Sequence, residues 1–252
     1  MSNALLEIQE VKKHFDGVHA LAGFSCNLEE REILGLIGPN GAGKSTLFNV
    51  MSGFLPCEGG KIVFKGQNIT GAPPYQITSQ GISRTFQNLR LIRQVRVLDN
   101  VLLAFQNQPG ERLWNVFFRQ GVCLKQETAN REEAMALLRE VGMAEKADDP
   151  AEDLSYGQQK LLNLACCLAA KSEVILLDEP VAGIAPEMIE KILRIIQELP
   201  GKGKSVILIE HNLDAVMQVC DRVIFMDAGV MVSEGTPEEV RNDPRVIEAY
   251  IE

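Results

Sequence analysis

Hydrophobic and polar positions change their period several times along the chain, and each change marks a different kind of element. From Leu5 to Leu28 apolar residues alternate with polar ones, as at Phe24, Cys26 and Leu28, which is the period of strands with one face buried. That pattern predicts a β-rich N-terminal layer of antiparallel strands. Ile33 to Gly38 is a continuous apolar run instead, suited to a strand covered on both faces. A glycine-rich stretch and the helix-like STLFNVMSG follow it, giving strand, loop and helix in succession. A further short strand is expected near Ile62 to Phe64.

From about Ala72 to Lys171 the period becomes mostly helical, with REEAMALLREVG carrying apolar residues at three- and four-residue steps. The expectation is one domain over residues 1–252, whose core, about 1–88 and 172–252, is interrupted by a helical subdomain at about 89–171. Gln106 to Gln126 has no clear period and is left unassigned. VILLD (Val174–Asp178) and SVILIE (Ser205–Glu210) read as buried strands separated by a helical pattern from Pro186 to Leu199, and this alternation implies a parallel sheet. VIFMDAGVMVSEG reads as a hairpin turning at Ala228 and Gly229. Thr236 and Glu239 form a capping box, with Pro237 at the first helical position of a short C-terminal helix. No internal repeat or low-complexity tract is present.

The strand, loop and helix at Gly38 to Thr46, GPNGAGKST, satisfy GxxxxGK[ST] in the context that this motif requires. Gly38, Gly41 and Gly43 let the backbone turn its amides inward around Pro39, Asn40 and Ala42, and the helix that follows adds its positive end. A polyphosphate is the ligand such a loop holds. Lys44 is placed to bridge the β- and γ-phosphates, Ser45 to offer a hydroxyl to Mg²⁺, and Thr46 to donate to the α-phosphate.

Two adjacent carboxylates, Asp178 and Glu179, stand at the C-terminal end of a buried strand, where ligand sites of parallel sheets open. Asp178 suits a water-mediated contact to Mg²⁺, and Glu179 a general base for the water that attacks the γ-phosphate. His211 follows the next buried strand and can reach the γ-phosphate from the same edge, while Phe15 can stack on an adenine ring. Taken singly, Asp178 has a minor alternative as a turn cap, whereas a lone histidine at a strand end more often serves the fold and most aromatics like Phe15 fill cores.

Composition narrows the setting of this chemistry. With 34 acidic against 25 basic residues and a net charge of −9, the chain repels nucleic acid and anionic lipid, so membrane contact is expected through a protein partner. The richest apolar stretch, LLNLACCLAA at Leu161 to Ala170, is half of the roughly 20 residues that a bilayer requires. MSNALLEIQE lacks the basic start and apolar core of a secretory signal, which leads to an expectation of cytosolic residence. The six cysteines show no CxxC pair and no zinc spacing.

LSYGQ, Leu154 to Gln158, precedes a helix and lies some way before the carboxylate strand, and here the sequence resembles the ABC ATPase family, whose signature motif it matches. Gln87 in RTFQNLRL resembles that family's Q-loop, so the elements of an ABC nucleotide-binding domain stand in their expected order. The resemblance implies an α/β fold: a P-loop NTPase domain of ABC type with a mixed-sheet core, an N-terminal antiparallel β subdomain and an inserted helical signature subdomain. It implies ATP and Mg²⁺ as cofactors, with Gln87 near both.

The resemblance further implies a head-to-tail pair in which Ser155, Tyr156, Gly157 and Gln158 face the partner's γ-phosphate. That pair would be a homodimer, or a heterodimer with a paralogous ATPase. Its expected partners are integral membrane permease subunits at the cytoplasmic face of the inner membrane, with a solute-binding protein engaged indirectly and no nucleic acid. Phe86, Leu89 and Leu91 would line the groove that receives the permease. GISRTFQNLRL, LSYGQQ and GTPEEVRNDPRVIEAYIE look most like ATP-binding subunits of branched-chain amino acid importers, with urea or lipopolysaccharide as alternative cargo and a soluble non-transport ABC protein as the remoter alternative. Departures from the family pattern are Cys166 and Cys167, Ala185 and Lys160.

Overall fold

The computed structural model describes residues 4–86, 89–106, 108 and 120–251. The expectation for Gln87, and most of the unassigned stretch before residue 120, lie outside the described residues. The chain divides into two compact units: Met1–Gln87 with Glu173–Ala182 and Pro186–Glu252, and Asn88–Ser172 with Gly183–Ala185.

Unit one contains two sheets. Strands β1 (Leu6–Phe15), β2 (Val18–Leu28), β4 (Gly59–Phe64) and β5 (Gln67–Asn68) form an antiparallel sheet in the order β2-β1-β4-β5. Its burial keeps the period-two pattern of the sequence only in part: Leu6 and Ile8 are buried two apart, whereas Leu21, Phe24 and Leu28 are buried at steps of three and four, because irregularities interrupt the β1–β2 register. The second sheet has the order β10-β9-β3-β8-β7-β6. Its parallel members are β3 (Ile33–Ile37), β6 (Ile82–Arg84), β7 (Val174–Asp178), β8 (Ser205–Ile209) and β9 (Arg222–Asp227), and β10 (Val230–Gly235) closes it antiparallel to β9.

Every residue of β3, β7 and β8 is buried, as their unbroken apolar runs require. Helices α1 (Lys44–Met51) and α2 (Pro74–Gln80) belong to the same unit, and one core joins Leu47, Phe48 and Met51 of α1 to residues of both sheets. Ala228, at φ 43°, occupies the two-residue turn between β9 and β10, which matches the expected hairpin. β6 lies inside the stretch whose pattern reads as helical. Three residues are too few to show a period, and their strand character comes from parallel pairing with Val174, Ile175 and Leu176 of β7.

Unit two is helical, with α3 (Val97–Leu103), α4 (Gln120–Glu140) and α5 (Tyr156–Ala169) packed on one another. Val97, Leu98 and Val101 of α3, Ala134 and Leu138 of α4, and Leu161, Leu162 and Ala165 of α5 are buried at helical spacing. The entry to α3 is held by Asn100, whose Oδ1 accepts the Ile92 N–H at 2.9 Å and whose amide donates to the carbonyls of Ile92 and Val95 at 3.1 and 3.2 Å. The chain ends in α6 (Pro186–Glu198), α7 (Leu213–Val219), α8 (Pro237–Arg241) and α9 (Pro244–Ile251), all in unit one. No helix among the described residues is long and apolar enough to cross a membrane.

Candidate functional site

The C-terminal ends of β3, β7 and β8 bring the glycine loop, Asp178, Glu179 and His211 to a single edge of the sheet. After β3 the backbone reverses through Gly38 and enters α1 from Gly43, whose φ of 101° is left-handed. A Cβ on Gly43 would stand 2.2 Å from the Ala20 carbonyl, and one on Gly38 would stand 2.0 Å from that of Met226, so both positions demand glycine. The loop wraps a cavity of ≈ 290 Å³ lined by residues 40–46, Ala20, Glu179 and His211. Lys44 reaches back across the loop, and its Nζ donates to the carbonyls of Gly38 at 2.7 Å and Pro39 at 2.8 Å. Burial holds its ammonium below the ordinary lysine pKa, and the negative charges of Glu179 and Asp178 oppose that shift.

Opposite the loop, β7 ends in a buried Asp178. Its backbone N–H donates to Thr85 Oγ1 at 3.0 Å, and its Oδ2 accepts from Arg84 at 2.8 Å. Arg84 arrives from β6, far away in sequence, and also donates to Asn49 Oδ1 of α1 at 2.7 Å and to Ser52 Oγ at 3.1 Å. Its guanidinium lies 5.3 Å from the Phe48 ring centroid and 5.1 Å from that of Phe86. Phe86 in turn meets Phe54 edge-on at 5.3 Å. One buried cation therefore ties the carboxylate to the helix that begins at the glycine loop.

Glu179 follows Asp178 at φ 48°, a left-handed conformation unusual for a residue with a side chain. Its N–H donates to Ile209 O at 2.9 Å, which holds the kink against β8. The side chain then meets His211, with Oε1 and Nε2 3.1 Å apart. Both groups line the cavity, so a carboxylate and an imidazole face the loop amides. This arrangement can bind a polyphosphate and polarise a water beside it.

The donor set also fits a hard divalent cation. Ser45 lines the cavity and Asp178 supplies a buried carboxylate, while no cluster of three or more His, Cys, Asp or Glu stands ready to hold a metal among the described residues. Mg²⁺ suits such a sparse set, since it keeps several waters and takes further oxygens from a substrate's phosphates.

Phe15 ends β1 half-exposed and outside the residues that line this cavity, with Lys13 Nζ 5.0 Å from its ring centroid. In unit two, Ser155 caps α5 in a reciprocal box: its Oγ accepts the Gln158 N–H at 3.3 Å, and Gln158 Oε1 accepts the Ser155 N–H at 2.9 Å. Tyr156 is exposed and Gly157 buried in the first turn. Lys160, buried on the same helix, lies 5.4 Å from the Tyr156 ring centroid.

The sequence reading missed Arg84, Thr85 and Glu210. Arg84 and Thr85 act across more than ninety positions, and nothing local announces them. Glu210 left a visible trace, because a carboxylate closes an otherwise apolar strand in SVILIE.

Comparison with known proteins agrees with this geometry. The family described as "ABC transporter" matches residues 21–182, and the one described as "Branched-chain amino acid ATP-binding cassette transporter" matches residues 231–251. The chain is 37% identical over 252 residues to the high-affinity branched-chain amino acid transport ATP-binding protein LivG of Salmonella typhimurium, covering 100% of this chain and 99% of the relative. It is 35% identical to the corresponding protein BraF of Pseudomonas aeruginosa, with the same coverage. Among solved structures, a nucleotide-free ATP-binding cassette from an ABC transporter superposes with a TM-score of 0.85 at 34% identity, covering 99% of both chains. The ADP conformation of an ATP-binding cassette of an ABC transporter does so with a TM-score of 0.85 at 33% identity and the same coverage.

Proposed function

The chain belongs to the ABC transporter family, and from that premise we propose that it is the ATP-binding and ATP-hydrolysing subunit of an importer for branched-chain amino acids. The observation that carries the catalytic part is the Glu179–His211 contact of 3.1 Å at the edge of the glycine-loop cavity.

In this reading the amides of residues 40–46 hold the triphosphate and Lys44 leaves its carbonyl partners for the β- and γ-phosphates. Thr46 donates to the α-phosphate, and Phe15 stacks on the adenine. Ser45, Gln87 and Asp178, the last through water, would hold Mg²⁺, which when bound would neutralise charge on the transferring phosphoryl group. Glu179 accepts a proton from the water that attacks the γ-phosphorus. The bond to the β–γ bridging oxygen breaks, and ADP and phosphate leave. His211 orients Glu179 through their direct contact and donates to the γ-phosphate.

Ser155, Tyr156, Gly157 and Gln158 complete the site on a second ATPase chain, identical or paralogous, so that ATP joins two copies. The positive N-terminal end of the α5 helix dipole suits an anion in that role. The branched-chain cargo is supported by the names of full-length relatives and by the match at residues 231–251. Permease subunits in the inner membrane, fed by a solute-binding protein, would anchor the chain at the cytoplasmic face. The net charge of −9 argues against a nucleic-acid partner.

Mg-ATP turnover measured against protein concentration, for wild type and Glu179→Gln, tests this reading. The rate per chain should rise with concentration. Glu179→Gln should lose turnover by about 10²-fold or more, retain nucleotide, and form an ATP-dependent dimer visible by size. Turnover by a strict monomer, or full activity in Glu179→Gln, would overturn it.

A further inference from the structure

Glu210 follows the last residue of β8 and is 2% exposed, yet it carries a carboxylate. Its Oε1 accepts the N–H of Val181 at 2.9 Å, and its Oε2 accepts the N–H of His211 at 3.2 Å. The first amide lies two residues beyond Glu179 and the second belongs to His211 itself. Each oxygen of one buried carboxylate therefore holds the backbone of one of the two loops whose side chains meet at 3.1 Å.

The sheet alone does not fix that meeting. β7 and β8 stay in register through Asp178 and Ile209, and the Glu179 N–H adds one more bond to Ile209 O. Beyond that point the strands end, the chain takes a left-handed turn at Glu179, and ladder pairing stops. Glu210 bridges the place where the ladder gives out. A carboxylate suits the task because both of its oxygens accept, and charge-assisted bonds to backbone amides are short and strong.

We infer that Glu210 is a positioning residue for hydrolysis, which sets the spacing of Glu179 and His211 by bridging the amides of Val181 and His211. The inference rests on the roles proposed above for Glu179 and His211. A glutamine at position 210 keeps one acceptor oxygen and turns an NH₂ toward the other amide, so one loop loses its anchor. An aspartate keeps the charge and is one methylene too short to span both.

The experiment measures kcat, KM for Mg-ATP and thermal midpoint for wild type, Glu210→Gln, Glu210→Asp, Glu179→Gln and Glu32→Gln. Glu32 is the control for a merely structural buried carboxylate. It lies at the start of β3, at the other end of that strand from the glycine loop, and bonds Arg222 Nε at 2.7 Å and the Glu29 N–H at 2.7 Å. Both Glu210 variants should lose about tenfold in kcat, ~1.4 kcal/mol in the barrier, with KM within about twofold of wild type. Glu32→Gln should lower the thermal midpoint and leave kcat alone.

If Glu210→Gln does not fold, Glu210→Asp carries the test. Wild-type kcat in a folded Glu210 variant, with turnover lost in Glu179→Gln, would overturn the positioning role and leave the catalytic assignment standing. Full turnover in Glu179→Gln would remove the assignment and the inference with it. A Glu210 variant that raises KM and leaves kcat intact would show that the carboxylate serves nucleotide binding instead, which also overturns the inference.

Discussion

The two units make their candidate ligand-binding turns in different ways. In unit one, the edge beside the glycine loop is laced by side chains distant in sequence: Arg84 to Asp178, Arg84 to Asn49, and Glu210 to Val181. In unit two, the turn at Ser155 is closed within four residues by its own capping box. The difference teaches where rigidity comes from. A turn that caps its own helix can form wherever the helix forms, whereas an edge held by long-range buried bonds exists only once several strands have assembled.

The largest effect that separates the two should come from Arg84→Met. It leaves the buried Asp178 carboxylate without its guanidinium partner, and an uncompensated buried charge of this kind costs about 3–5 kcal/mol. Urea unfolding should show a correspondingly lower midpoint. By contrast, the exposed Lys171–Glu133 pair of unit two should contribute only about 0–1 kcal/mol when Lys171 is replaced by Met. Equal losses from the two substitutions would mean that burial of the Arg84–Asp178 pair adds nothing to the rigidity of the laced edge.

The same distinction explains how much was legible in the sequence. GPNGAGKST, LSYGQ and the Thr236–Glu239 box are local devices, and each stands where the pattern puts it. The fully buried strands β3, β7 and β8 were legible because burial on both faces leaves an unbroken apolar run. β6 was not, because three residues acquire strand character only from their neighbour in the sheet. Arg84 reads as an ordinary basic residue until the fold places it 2.8 Å from Asp178 between two aromatic rings. The meeting of Glu179 and His211 at one sheet edge follows from strand order. Their 3.1 Å contact does not, because it depends on a left-handed turn that the sequence does not display.

A smaller effect sharpens the comparison from the side of unit two. Ser155→Ala removes the hydroxyl that accepts the Gln158 N–H and should cost about 1 kcal/mol of stability, the usual loss for an N-cap. Because the box is local, the loss should appear as faster amide exchange in the first turn of α5, with the amides of β7 and β8 unchanged. Slower turnover should accompany it if Ser155 also faces the partner's γ-phosphate. A change in exchange that spread through the strands of unit one would show that the turn is not self-contained.

The smallest effect separates the two capping boxes themselves. In unit one, Glu239 Oε2 accepts the Thr236 N–H at 2.8 Å and the Thr236 hydroxyl at 2.9 Å, and these bonds hold its carboxyl below the usual glutamate pKa. A pKa depressed by folding contributes stability that is fully present above the unfolded value of about 4.3 and is lost as pH falls through the lower folded value. The corresponding position in unit two is Gln158, which has no proton to gain. Amide protection at the start of α8 should therefore decline below about pH 4, while protection at the start of α5 stays level until the whole protein unfolds. Glu239→Gln should make α8 behave like α5 across the same range. Equal acid sensitivity of the two helix starts in wild type would mean that global unfolding, rather than the charge on one cap, governs both.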